Sequence, residues 1–258
     1  MRGKNEKTKY VPGFLRKTRL DPAVVVHTYF REWEKRHLEL KRRRSKAKFY
    51  PAICFSRKIG VGVLETADIL SKKIGYRVID REILEHIAKD KKLSEKAVAF
   101  LNEQYPDIIT EYLSWIVGEK AFAKSESINA LFKTILSFAT LEPSIFVGRG
   151  AYLLLPREQI LAVRFIASDE HRIKRVANLL NITRKEAAKN LDQADKEQRL
   201  FFKQVYGKKS VTPDEFDMVI NFDYVHKPRW AAEIVAQAFK EKFGTISVDS
   251  TINKGITV

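Results

Sequence analysis

The stretch Tyr50-Pro51-Ala52-Ile53-Cys54-Phe55-Ser56-Arg57-Lys58-Ile59-Gly60-Val61-Gly62-Val63-Leu64-Glu65 decides how this chain folds. Its first part, 50–55, is a short apolar run that reads as a buried strand, and a helical pattern follows the glycines to about Ile74. Strand, glycine-containing turn and helix, in that order, place backbone N–H groups and a helix N-terminus where a phosphate can sit. A full phosphate loop reads G-x-x-x-x-G-K-[ST]. Aligned on Gly62 as its last glycine, the chain offers Arg57 for the first glycine, Val63 for the lysine and Leu64 for the magnesium-binding hydroxyl. A plain structural turn accounts for the same residues, because glycine is the default wherever backbone turns tightly.

Downstream, further short apolar runs at 76–79, 144–147, 159–167 and 216–221 read as strands. Helical patterns separate them. One starts near Arg81 with Asp80 as its cap, and 94–140 is largely helical around an interruption at Pro106. Ser168 caps a helix through Leu180, a long polar helical stretch covers 183–206, and the last helix runs from about Pro228 to Phe243 with Gly244 just beyond. Five such strands alternating with helices predict an α/β domain, a five-stranded parallel sheet flanked by helices on both faces. Ligands of these sheets bind at the carboxyl ends of the strands. The loops after the first three strands bring Arg57, Lys58, Asp80, Arg81 and Arg149 to that edge.

The chain carries a net charge of +16, unevenly placed. Residues 1–50 hold 16 Lys and Arg against 5 Asp and Glu, +11, and 51–258 hold the other 32 against 27, +5. This divides the chain into a basic extension at 1–49, a domain at 50–245 and a tail at 246–258. Residues 1–20 carry no periodicity and read as flexible. Asp21-Pro22 starts an amphipathic helix whose stripe of Val25, Val26, Tyr29, Phe30, Trp33, His37 and Leu40 packs on the domain. The cluster Lys41-Arg42-Arg43-Arg44-Ser45-Lys46-Ala47-Lys48 is either a solvated face or a contact for a polyanion such as RNA. No apolar run approaches the roughly 20 residues that span a bilayer. The single cysteine, Cys54, reads as a small buried hydrophobe and suits a reducing compartment, so the expected location is cytoplasmic, without a membrane. The five histidines are scattered, and no cluster has metal-ligand spacing.

Cations converging on a glycine turn are what phosphoryl transfer requires, because its catalysis is mostly positioning and charge neutralisation. Arg149 stands between Gly148 and Gly150 at a strand end, open to approach and with a planar fork suited to phosphate. Asp80-Arg81 reads equally as a helix cap beside a partnered charge. A second basic group, Arg172, Lys174, Arg175, Arg184, Lys185, Lys196, Arg199, Lys203, Lys208 and Lys209, reads as a solvated helix face or as a mobile lid closing over phosphates. Asp192, Asp195 and Glu197 are interspersed where they can orient those arginines.

Five segments, in order, resemble the cytidylate kinase-like family. They are Ile53-Cys54-Phe55-Ser56-Arg57 with Gly60-x-Gly62; Ile79-Asp80-Arg81-Glu82-Ile83-Leu84; Phe146-Val147-Gly148-Arg149-Gly150; Phe165-Ile166-Ala167 with the Arg172/Arg175 helix; and Asp195-Lys196-Glu197 running into Tyr206-Gly207. The resemblance spans about 51–243 and implies a P-loop nucleoside monophosphate kinase-like fold with a helical lid at about 181–210. It also implies a nucleotide partner, with ATP and Mg²⁺ as cofactors. By that resemblance Ser56, Arg57, Lys58, Gly60 and Gly62 meet ATP phosphates. Asp80, Arg81 and Arg149 lie on the acceptor side, and Arg172, Arg175 and Arg199, with Asp195, clamp the transferring group.

The departures from the family pattern are specific. Its turn continues Gly-Gly-Arg, whereas Gly62 here is followed by Val63-Leu64. Gln198 stands where a basic lid residue is expected, and Gly150 replaces the aspartate that selects the base in true cytidylate kinases. Two functions are therefore compatible with the chain. One is phosphoryl transfer from ATP to a nucleoside monophosphate or related small acceptor. The other is a catalytically weak or inactive relative that binds nucleotide or RNA as a sensor or interaction module.

Overall fold

The structure, a computed structural model, describes residues 23, 24, 26–31, 49–90, 92, 93, 95 and 126–244. The expected flexibility of 1–20, the cationic cluster at 41–48, Val25, Trp33, His37 and Leu40 of the stripe, most of the 94–125 helical stretch and the tail lie outside the described residues.

Five strands, β1 (Ala52–Arg57), β2 (Arg77–Asp80), β3 (Ser144–Val147), β4 (Ile160–Ile166) and β5 (Met218–Asn221), form one sheet in the order β2-β3-β1-β4-β5. Every pairing is parallel. The expected strand positions hold to within two residues. The chain leaves β1 for β2 and β3 on one side, then crosses to β4 and β5 on the other. That reversal puts the crevice outside the carboxyl end of β1, between β3 and β4, where sheets of this kind receive ligands.

Among the described residues, the sheet is covered by helices α1 (Val63–Ile74), α2 (Arg81–Lys89), α3 (Glu126–Leu141), α4 (Asp169–Leu180), α5 (Arg184–Tyr206) and α6 (Pro228–Phe243), with further helical residues at 23, 24 and 26–31. Period-two alternation in β1 sends Ala52 and Cys54 into one core and Ile53 and Phe55 into the other. The first core gathers residues of α2 and α3 with Phe202 and Val205 of α5, and the second is filled by α1 and α6. Phe55, Phe146 and Phe165 are fully buried, each worth about 1.5–3 kcal/mol. Val26 and Phe30 are buried in the first core, and the Tyr29 ring lies edge-on to Phe138 and over the Arg77 guanidinium.

The caps explain where the helices begin. Asp80 Oδ1 accepts from the Glu82 and Ile83 N–H groups, and Ser168 Oγ accepts from the His171 N–H. Thr183 and Glu186 form a reciprocal capping box that starts α5. At 23 residues, α5 is the longest of these helices, about 35 Å at 1.5 Å per residue. It therefore reaches from the turn after β1 to the end of β3. No helix among the described residues is long and apolar enough to cross a membrane.

Candidate functional site

Two groups of side chains meet α5 at the carboxyl edge. The first surrounds a cavity of about 320 Å³ lined by Arg57, Arg81, Arg149, Gln198 and Phe201 among others. Three different elements deliver its arginines. Arg57 ends β1, Arg81 opens α2 just past the Asp80 cap, and Arg149 follows β3.

Arg149 is held in an unusual way. Its backbone is left-handed, with φ of 54°, a conformation that costs an L residue roughly 1–2 kcal/mol. Such strain clusters at functional sites. Its guanidinium carbon stands 4.1 Å from the Phe201 ring centroid, and its Nη2 pairs with Glu85 Oε1. The Tyr206 hydroxyl donates to its carbonyl at 2.5 Å. Gly150 makes that approach possible, since a Cβ there would stand 2.5 Å from the Tyr206 ring. A Cβ on Gly148 would meet Arg57 Nη1 at 2.7 Å, which places the Arg57 guanidinium against the backbone next to Arg149.

Burial first, then the charges of Arg81 and Arg57, push the Arg149 pKa down to about 9, so the group remains cationic at neutral pH. Its Nε is buried and has no hydrogen-bond partner among the described residues, and the same is true of Gln198 Oε1 in the same cavity wall. A site of this kind holds concentrated positive charge with donors in hand, and a phosphate supplies the oxygens to use them.

The second group closes the turn. Ile59, Val61, Val63 and Leu64 are all buried, so the residues in place of the loop lysine and hydroxyl pack inward. Gly62, at φ 92°, caps α1 without a side-chain bond, and a Cβ on it would stand 2.4 Å from Arg175 Nε. Arg175 Nη2 in turn donates to Glu65 Oε1 at 2.6 Å. Arg172, 6% exposed, donates through Nη1 to the Ile59 carbonyl at 3.0 Å and to Asp195 Oδ2 at 2.9 Å, and through Nη2 to Asp169 Oδ1 at 2.6 Å. Hydrogen bonding to Arg172 and its charge hold the Asp169 carboxyl below its ordinary range. Ile59 also packs into a small core with Val176 and Ala177 of α4 and Ala187, Leu191 and Ala194 of α5. Gln198 Nε2 adds a bond to the Arg57 carbonyl at 3.2 Å.

The residues singled out from sequence thus separate. Arg57, Arg81 and Arg149 share the cavity. Gly60, Gly62, Arg172, Arg175 and Asp195 surround the turn. Ser56 is turned into the sheet, where its hydroxyl accepts from Arg164 Nη1 at 2.7 Å, because alternation along β1 points it to the side of Cys54. Lys58 and Arg199 are exposed and do not line the cavity, and Asp80 serves as a buried cap. Sequence reading missed Glu85 and Phe201. The available signal for Glu85 was its position four residues beyond Arg81 on a helix.

Among the described residues no three His, Cys, Asp or Glu stand together as metal ligands. With Leu64 in the hydroxyl position, Asp195 bonded to Arg172 and Asp80 capping α2, the described side chains do not form a seat for Mg²⁺.

No curated protein matches the chain. Among solved structures, an uncharacterized protein from Eubacterium ventriosum ATCC 27560 shares the fold at a TM-score of 0.56 and 17% identity, over 75% of this chain and 99% of that one. Shikimate kinase from Bacteroides thetaiotaomicron also matches, with a TM-score of 0.37, 15% identity and coverage of 74% and 96%. Dephospho-CoA kinase from Campylobacter jejuni matches with a TM-score of 0.30, 19% identity and coverage of 74% and 97%. The family model of the cytidylate kinase-like family matches residues 52–224, which include both groups of side chains, and the chain belongs to that family.

Proposed function

We propose that the protein binds a nucleoside monophosphate or a related small phosphate ester in the cavity at the ends of β1 and β3, and that phosphoryl transfer from ATP to it is the reaction. The observation that carries this reading is the convergence of Arg57, Arg81 and Arg149, from three separate elements, on one cavity. In the proposed complex their forks neutralise the acceptor phosphate. Gly60 and Gly62, with the N-terminus of α1 and Arg175, face the donor phosphates. Arg172 and Asp195 have a different role from the one the resemblance gives them. They hold α4 and α5 against the turn. ATP brings the phosphoryl group, and the described side chains offer no seat for Mg²⁺.

A second reading is favoured by the turn itself. Val63 and Leu64 are buried, and Arg175 is committed to Glu65. These features support a relative that binds nucleotide with weak transfer or none. A nucleotide panel read by thermal shift, followed by a coupled ADP-release assay on each stabilising pair, tests both readings. ADP release dependent on the acceptor supports the kinase. Binding without release supports the second reading, and no binding removes both. RNA contact through residues 41–48 is a separate proposal, supported by the +11 charge of residues 1–50. It predicts RNA affinity that falls steeply with salt and is lost on removal of 1–48.

A further inference from the structure

Two arginines of the cavity share a carboxylate contact that neither the turn motif nor the family resemblance explains. Glu85 Oε1 accepts from Arg81 Nε at 2.7 Å and also pairs with Arg149 Nη2. The two arginines come from different elements, α2 and the end of β3, and both line the cavity. The Asp80 cap fixes the first turn of α2, so Arg81 and Glu85, one helical turn apart, rise from the same side of the helix.

Two cations brought this close repel one another. The Glu85 carboxylate is the bridge that offsets that repulsion. It takes one edge of each guanidinium, while the Phe201 ring covers the face of Arg149. Arg149 Nε remains buried without a partner among the described residues. Glu85 and Phe201 together thus act as a clamp on a side chain whose backbone is already strained. Side chains that must meet a ligand in fixed geometry need such support from the residues behind them.

We propose that Glu85 is the positioning residue of this site: its carboxylate yokes Arg81 to Arg149 and holds their forks side by side toward the cavity, where a phosphate ester binds. This rests on reading the cavity as a phosphate site. Glu85 itself does not touch the ligand. Charge and reach are both required of it. Aspartate, one methylene shorter, keeps the charge but cannot span both arginines, and glutamine keeps the reach and one acceptor oxygen but loses the charge.

The test is calorimetric titration of the full chain with cytidine monophosphate and, separately, with inorganic phosphate. Wild type is compared with Glu85→Ala, Glu85→Asp and Glu85→Gln, each checked for a native circular dichroism spectrum. Glu85→Ala and Glu85→Asp should each weaken binding by about tenfold or more, with Glu85→Gln recovering part of the loss. Unchanged affinity in both Ala and Asp variants overturns the proposal, as does tighter binding, which would make Glu85 a competitor of the ligand. If Glu85→Ala fails to fold, Glu85→Asp decides by the same criterion. Failure of the wild-type protein to bind either probe refutes the phosphate reading of the cavity and is distinct from failure of the Glu85 proposal.

Discussion

Gly62 and Arg175 are in direct contact: a Cβ added to Gly62 would stand 2.4 Å from Arg175 Nε and 2.6 Å from its Cζ. The guanidinium of α4 therefore rests on the backbone of the turn, at the point where α1 begins. Gly62→Ala must adopt a left-handed backbone and also displace that guanidinium. It should lower stability by about 2–3 kcal/mol in urea denaturation. Combined with Arg175→Ala, the loss should be smaller than the sum of the two single changes, since removing Arg175 removes the clash. Strict additivity would show that the two residues are not coupled.

The left-handed backbone of Arg149 makes a second prediction, independent of any ligand. Arg149→Gly and Arg149→Ala remove the same side-chain contacts, but only glycine relieves φ of 54°. The glycine variant should be more stable than the alanine variant by about 1 kcal/mol. Equal urea midpoints would mean that the backbone relaxes once the side chain is gone.

The sheet was legible from the sequence because its strands are short apolar runs bounded by recognisable caps. Asp80, Ser168 and Gly244 mark ends that the structure keeps. The arginines of the cavity were legible for a similar reason, since Arg57 and Arg149 sit where strands end and glycine opens the approach. What escaped depends on side-chain direction and on contacts across long separations. Ser56 looked like part of the turn until pairing of β1 with β4 set it opposite Arg164. Arg172 read as one of a basic group that Asp195 could orient, and Asp195 does hold it; its bond to the Ile59 carbonyl, 113 positions away, could not be read. Glu85 carries no motif of its own, and its role exists only because Arg149 arrives beside it.

Acid should weaken the fold through Asp217. Burial alone would raise its carboxyl, but bonds from the Ala162 N–H and Lys242, with the Arg157 charge, outweigh it and hold the pKa below the ordinary value. For a depressed carboxylate the stabilisation is complete above the ordinary unfolded value of about 4 and is lost as pH falls through the lower folded value. The urea midpoint should therefore fall below about pH 4, and Asp217→Asn should show less of that fall while being less stable at pH 7. A parallel fall in both proteins would assign the acid sensitivity elsewhere.

Removal of residues 1–48 should cost more than its charge suggests. Val26 and Phe30 are buried in the first core, so a chain starting at Phe49 should lose about 3–6 kcal/mol. A chain starting at Asp21 keeps both residues and should melt close to wild type. Equal melting of all three would show that the segment around Val26 contributes no packing energy.

If Arg57, Arg81 and Arg149 hold the phosphate of a small ester, Arg149→Ala must lose affinity for cytidine monophosphate relative to wild type. Titration calorimetry at neutral pH should show binding by wild type and a loss of about tenfold or more in the variant, with its native circular dichroism spectrum retained. Equal affinity in the two proteins would show that no phosphate rests on Arg149 and leave it as a residue of the fold alone.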